Sequence, residues 1–261
     1  MPAAFLKPRF ASAHATVLFS ATLSPQHFYA DALGLPDDTA WLDVESPFTP
    51  DQLNARVVTD ISTRFSHRAA SLERLCRLIA AQHASSPGNY LAFFSSFDYA
   101  QQAFDEFSRQ QPEVAAWCQR RQMNSAQRAA FLERFAPQGS GIGFAVLGGA
   151  FAEGVDLPGS RLVGAFVATL GLPQVNPVNE EMKRRLEQDT GDGHGYTYLY
   201  PGIRKVVQAA GRVIRAPSDR GHLFLIDDRF GRPEVRQLLP AWWRLEACTS
   251  AAFLEPDLAP S

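Results

Sequence analysis

Short apolar runs of strand length alternate along this chain with longer segments whose apolar residues recur at helical spacing. Tyr90 to Phe94 and Ile142 to Leu147 are nearly continuous apolar runs. Strands covered on both faces of a parallel sheet read this way. Thr16 to Phe19, Arg161 to Ala168 and His222 to Ile226 are further predicted strands, and Arg56 to Ile61 is a candidate edge strand. Between them lie predicted helices. One covers Pro25 to Leu33, with Ser24 as N-cap, Pro25 at the first helical position and Gly34 just past the end. A second runs from His67 to His83 with Leu72, Leu75, Cys76 and Ile79 near helical spacing. A third, capped by Asp98, reaches about Arg109 and places Ala103, Phe104 and Phe107 on one face; a fourth spans Ala126 to Phe135.

Strands separated by helices of this length predict repeated βαβ units and an α/β fold with a mainly parallel sheet. Asp37 to Asp51 is rich in Pro, Asp and Thr and reads as a connector, and Glu255 to Ser261 as a frayed tail. The stretch 171–202 fits the alternation less well. It surrounds a charged helix near Glu180 to Gln188 with Pro173, Pro177, Gly191, Gly193 and Gly195, and reads as an insertion on the domain edge with His194 as a loop residue.

Composition narrows the function classes. The 261 residues are 46% hydrophobic and 20% charged, enough for one large domain or two small ones. Lys and Arg number 25 against 27 Asp and Glu, for a net charge of -2, so nucleic acid would be held by local clusters and not by bulk charge. Cys76, Cys118 and Cys248 lie far apart without a CxxC pair, which excludes a recognisable zinc or iron–sulfur set formed by this chain and suits a reducing cytoplasm. No apolar run approaches the roughly 18–20 residues that span a bilayer. The run from Ala15 to Leu23, behind Lys7 and Arg9, is broken by Ser20 and Thr22. Neither a nucleophile elbow nor an HExxH pair is present.

Four segments could carry chemistry. In QAAGRVIR, a helix would place Gln208, Arg212 and Arg215 at i, i+4 and i+7 on one face. That face suits an anion, because guanidinium pairs bidentately with phosphate, although a solvated basic surface has the same spacing. GGAFAEGVDLPG follows a predicted strand and brackets Gly154 with Glu153 and Asp156; it reads as a ligand loop or as a plain βα connection. LFSATLSP puts hydroxyls of Ser20 and Thr22 after a strand, where they can meet a phosphate or an acidic side chain, and Ser24 can equally be a cap. FFSSFDYA ends a strand with Ser95 and Ser96 before a helix start, which suits either a phosphate or simple capping.

These four motifs, in this order, resemble superfamily 2 helicases, and in detail the XPD/DinG branch. LFSATLSP, LAFFSSFDY, AEGVDLPG, QAAGRVIRAPSDRG and the closing LIDDRFGRPEVRQLLPAWW all look like that branch, from about Leu6 to Trp243. The resemblance implies the second of two RecA-like P-loop NTPase domains. It implies that 1–34 is the tail of the first motor domain, with the SAT-type motif, and that 35–261 is the helicase C-terminal domain. Arg215 would be an arginine finger, Arg212 its companion and Gln208 its orienting amide. Glu153, Gly154 and Asp156 would line the ATP side of the cleft. Ser20, Ala21 and Thr22 would couple the motor domains, and Ser95 and Ser96 would touch DNA. ATP and Mg²⁺ would be the cofactors, with the Gly-Lys-Ser/Thr loop and DEAH box, which are not in this sequence, supplied by the N-terminal motor domain. An iron–sulfur cluster would belong to that half if the whole protein has one. Single-stranded DNA and the N-terminal motor domain would be the partners, with no membrane. A nucleic-acid-binding module that has lost motor activity is the alternative.

Overall fold

The computed structural model describes residues 2–152 and 156–254. Two helices, α1 (Ala3–Ser12) and α2 (Gln26–Leu33), come first. The chain then alternates through β1 (Leu53–Val58), α3 (Arg68–Ser85), β2 (Asn89–Phe94), α4 (Phe97–Gln110), β3 (Ala116–Cys118), α5 (Ser125–Glu133) and β4 (Gly141–Val146). It continues with β5 (Gly164–Ala168), α6 (Pro177–Thr190), α7 (Tyr200–Ala210) and β6 (Gly221–Ile226). Short α8 (Pro233–Arg236), β7 (Glu246–Cys248) and α9 (Ala251–Leu254) follow. Among the described residues seven strands form one sheet in the order β3-β4-β2-β5-β6-β1-β7. Every pairing is parallel, as the alternation predicts.

Successive strand residues face opposite sides of a sheet, so an apolar run feeds two cores at once. Leu91 and Phe93 of β2, Val167 of β5 and Leu223 and Leu225 of β6 pack with Phe131 of α5 and Ile203, Val206 and Ala209 of α7. Tyr90, Phe94, Phe166 and Phe224 point the other way, onto Leu75 and Ile79 of α3 and Tyr99, Ala103 and Phe107 of α4. On that face Tyr90, Phe166 and Phe224 stack in a row across three strands, with centroids 5.2 Å apart at each step. Gly164 makes room for the row: a Cβ there would lie 2.5 Å from the Tyr90 ring.

Several elements differ from expectation for identifiable reasons. Thr16 to Phe19 forms no strand; among the described residues no strand pairs with it, and Val17 and Phe19 are 82% and 92% exposed. Helix α2 begins at Gln26, with Pro25 extended at the cap position and no side-chain cap, so neither Ser24 nor Pro25 has its expected place. Gly34 does end the helix, at φ 67°. Strand β1 is not at the edge, because β7 pairs beyond it. Its polar Arg56 misleads: the guanidinium lies 5.3 Å from the centroid of the Phe253 ring, covered rather than free. Ser96, not Asp98, caps α4. Gly195 to Leu199 is a π-helical turn running into α7, so the stretch read as an insertion is helical into Tyr200, and His194 lies at its start, not in a loop.

Removing a ring from the stacked row leaves a cavity that a close-packed sheet cannot close. Phe166→Ala should therefore lower unfolding free energy by about 3–5 kcal/mol in urea titration. A loss below about 1 kcal/mol would show that the row does not carry the core.

Candidate functional site

Of the predicted site residues, Arg215 and Asp156 lie at one end of the sheet and Ser95 and Ser96 at the other. At the end where strands begin lies the loop entering β6. The single helix face expected for Gln208, Arg212 and Arg215 does not form, because α7 stops at Ala210 and Gly211 turns the chain away. The reason is local. Pro217 cannot continue a helix, and the Asp219 carboxylate accepts the backbone N–H groups of Arg215 and Ala216, each at 2.8 Å. Gln208 stays half-buried on α7, Arg212 half-buried in the turn, and Arg215 stands in the loop.

This loop is pinned from behind by Gln52, which no sequence signal marked. Gln52 is 4% exposed, and its Nε2 reaches the carbonyls of Ala216, Pro217 and Asp219, each at 3.2 Å. Its Oε1 accepts the Thr49 N–H at 2.9 Å. Thus a loop without regular structure has a fixed path. On it, the Arg215 guanidinium lies 3.7 Å from the Asp156 carboxylate, although the two come from different motifs. Asp156 is largely exposed, so the pair is open to solvent on one side. Glu153 and Gly154 lie outside the described residues.

The other end, where strands finish, holds Ser95 and Ser96. Ser96 Oγ accepts the Tyr99 N–H at 3.2 Å and so is engaged in capping. Ser95 Oγ accepts from Arg68 Nη2 at 2.7 Å. Beside them is a polar network found only in the structure. Asp227, fully buried at the end of β6, accepts the Thr63 N–H at 2.9 Å, the Thr63 hydroxyl, the Arg229 N–H at 2.9 Å and Arg229 Nε at 2.7 Å. Burial opposes ionisation of Asp227, but the Arg229 and Thr63 donors outweigh it and hold its carboxyl below the usual range. Arg64 pairs with Asp228 next to it. The signal available in sequence was the pair of charged clusters, TRFSHR a few residues past the end of β1 and DDRFGR directly after β6.

Ser20 and Thr22 join neither end. They contact each other, with the Thr22 N–H donating to Ser20 Oγ at 3.2 Å, and Ala21 between them is exposed. The segment is nevertheless tied to the rest of the chain through α2. Tyr196 donates to Asp31, His27 and Tyr200 are 3.2 Å apart, and Phe28 packs edge-on against Tyr196 and Tyr200. No group of three or more His, Cys, Asp or Glu side chains among the described residues could hold a metal, and no described helix is long and apolar enough to cross a membrane. Burial pushes the Cys76 thiol up to about 12 and the Cys118 thiol up to about 11, which leaves both poor nucleophiles.

An all-parallel sheet between two helical layers, with polar clusters at both of its ends, has the RecA-like fold. A solved XPD helicase superposes with a TM-score of 0.74 at 17% identity, covering 95% of this chain and 45% of that one. A solved S. cerevisiae Dbp5 bound to RNA and ADP BeF3 superposes with a TM-score of 0.50 at 15% identity, covering 94% of this chain and 54% of that one. Residues 79–246 match the helicase C-terminal domain family, and the chain belongs to that family, in its XPD/DinG-like branch. The general transcription and DNA repair factor IIH helicase subunit XPD of Dictyostelium discoideum is 25% identical over 91% of this chain, and the ATP-dependent helicase DinG of Mycobacterium tuberculosis is 28% identical over 90%. The chain spans about a third of the length of these curated relatives, 33% and 36%.

Asp227 gives this end of the sheet its rigidity, and its removal would strand the mostly buried Arg229 charge. Asp227→Ala should cost about 3–5 kcal/mol near neutral pH. Because the folded carboxyl lies below the unfolded value of about 3.9, its contribution is complete above about pH 4 and is lost as pH falls through the folded value. The difference between wild type and variant in urea titrations should shrink accordingly in acid. A penalty that is the same at pH 3 and pH 7 would contradict the assignment.

Proposed function

We propose that this chain is the C-terminal motor half of an ATP-dependent DNA helicase that moves along single-stranded DNA, with a role in DNA repair or replication. The observation that carries the reading is the meeting of Arg215 and Asp156, which brings the QxxGRxxR and GVD motifs together at one end of the sheet while Ser95 stands at the other. A two-ended domain of this kind can face a nucleotide with one end and a nucleic-acid backbone with the other. The family membership and the names of its relatives support the same reading.

At the strand-start end, Arg215 is the arginine finger and Arg212 its companion. A guanidinium aimed at a γ-phosphate stabilises the charge that develops there during transfer to water. Asp156 holds Arg215 when no phosphate is present, and Gln52 and Asp219 fix the loop so that little reorganisation is needed. Mg²⁺ would neutralise phosphate charge, and its ligands, with the phosphate loop, belong to an N-terminal motor domain. Such a domain would also cover Val17 and Phe19, whose alternating apolar side chains stand in solvent here. Ser20 and Thr22 lie in that same segment and would form the seam. At the strand-finish end the polar network would hold DNA through its phosphates, so affinity would be salt-sensitive and tolerant of sequence.

This chain by itself should show no significant ATP hydrolysis, with or without DNA, because the Lys and metal ligands of a phosphate loop are not in it. Joined to its N-terminal motor domain it should hydrolyse ATP, and Arg215→Ala should lower kcat by about 10³–10⁵ while single-stranded DNA binding persists. Arg215→Lys should restore little, since an ammonium cannot reproduce the planar two-pronged donor. Hydrolysis by Arg215→Ala within a few-fold of wild type would leave Arg215 as a surface cation and defeat the proposal.

A further inference from the structure

Phe65 is out of place for a residue with only a packing role. It lies between β1 and α3, next to the Thr63–Asp227 hydrogen bonds, yet its side chain is 88% exposed. The surrounding chain is not loose. Arg68 Nε donates to the Thr63 carbonyl at 3.0 Å and Arg68 Nη2 to Ser95 Oγ at 2.7 Å. The Arg68 guanidinium lies 5.5 Å from the Phe65 ring centroid and 4.7 Å from that of Tyr99, which is buried. Phe65 is therefore braced through Arg68 against the core while most of its ring meets water.

The charge around it is locally positive. Asp228 answers Arg64 and Asp227 answers Arg229. Among the described residues no carboxylate lies within ion-pair distance of Arg68, and the neighbouring His67 is exposed. An exposed aromatic ring beside an unanswered guanidinium and a strand-end serine matches the chemistry of one nucleotide: a flat apolar base and a charged phosphate.

We propose that Phe65 is a stacking platform for a base of single-stranded nucleic acid, with Arg68 at the adjoining phosphate. This rests on the reading that the strand-finish end carries DNA, and it adds a contact to the base, where Ser95 and the network address only the backbone. Stacking on a phenyl ring tolerates every base, so the platform contributes affinity and footing without sequence preference.

The test uses the purified chain, a fluorescein-labelled oligo(dT), and an abasic deoxyribose-phosphate oligomer of the same length, compared by anisotropy at low salt. Phe65→Ala should weaken oligo(dT) binding by about 5- to 150-fold and leave abasic binding unchanged. Phe65→Trp should keep the affinity and add tryptophan quenching on oligo(dT) that wild type does not show. Because position 65 is exposed, neither variant should alter the circular dichroism spectrum. Equal oligo(dT) binding by wild type and Phe65→Ala overturns the platform and leaves the DNA reading of this end standing. Equal weakening toward both oligomers also overturns it, since the ring would then act only through the backbone site. Binding of neither oligomer by wild type overturns the DNA reading and the platform with it.

Discussion

Every residue of β2 and β5 is buried, and so are five of the six in β6, which leaves the sheet no free face. A parallel ladder covered by helices on both sides can expose polar chemistry only at its two ends. The rest of this structure follows from that constraint. Apolar side chains alternate into two cores, and the ends collect the charged and hydroxyl residues. Catalytic or binding groups of the domain therefore stand on loops fixed by what lies beneath them, as in other α/β folds.

The two ends achieve this differently. At the strand-start end an irregular loop is held by one buried amide, Gln52, and one carboxylate, Asp219, both bonded to main chain. Arg215 stands on that loop, paired with Asp156. At the strand-finish end a buried carboxylate, Asp227, ties the loop after β1 to the loop after β6 through Thr63 and Arg229. Bonds to a buried charge are short and strong, and they set that end as one piece. The motor proposed above, gripping a backbone while a nucleotide is hydrolysed elsewhere, would need one rigid body between its two sites, and the aromatic row through Tyr90, Phe166 and Phe224 crosses the sheet between its ends.

The central strands and the helices between them were legible because continuous apolar runs and helical periods are strong local signals. Strands β3 and β7 were not: three residues each carry too little pattern, and pairing alone makes them strands. The extent of α7 was misjudged because QAAGRVIR has helical spacing throughout, and only the Asp219 carboxylate, eight positions past Gly211, shows where the turn is stabilised. Motif order located Arg215 and Asp156, but their approach to each other depends on the fold. Gln52 carries no motif, and the motifs and charged runs around Phe65 and Asp227 do not single out either residue. Their importance lies in burial or exposure that contradicts their residue type, and only coordinates reveal that. Ser96 shows the converse, since an ambiguous sequence signal resolves here into a helix cap.

The central claim is that the two ends of the sheet are separate surfaces and that nucleic acid meets only one of them. Hydrogen exchange of the purified chain with and without oligo(dT) tests it most directly. The account predicts slower exchange at 62–68 and 95–99 and no change at 211–219. Protection confined to 211–219, with 62–68 unaffected, would place the nucleic acid on the end assigned here to the nucleotide and contradict the account.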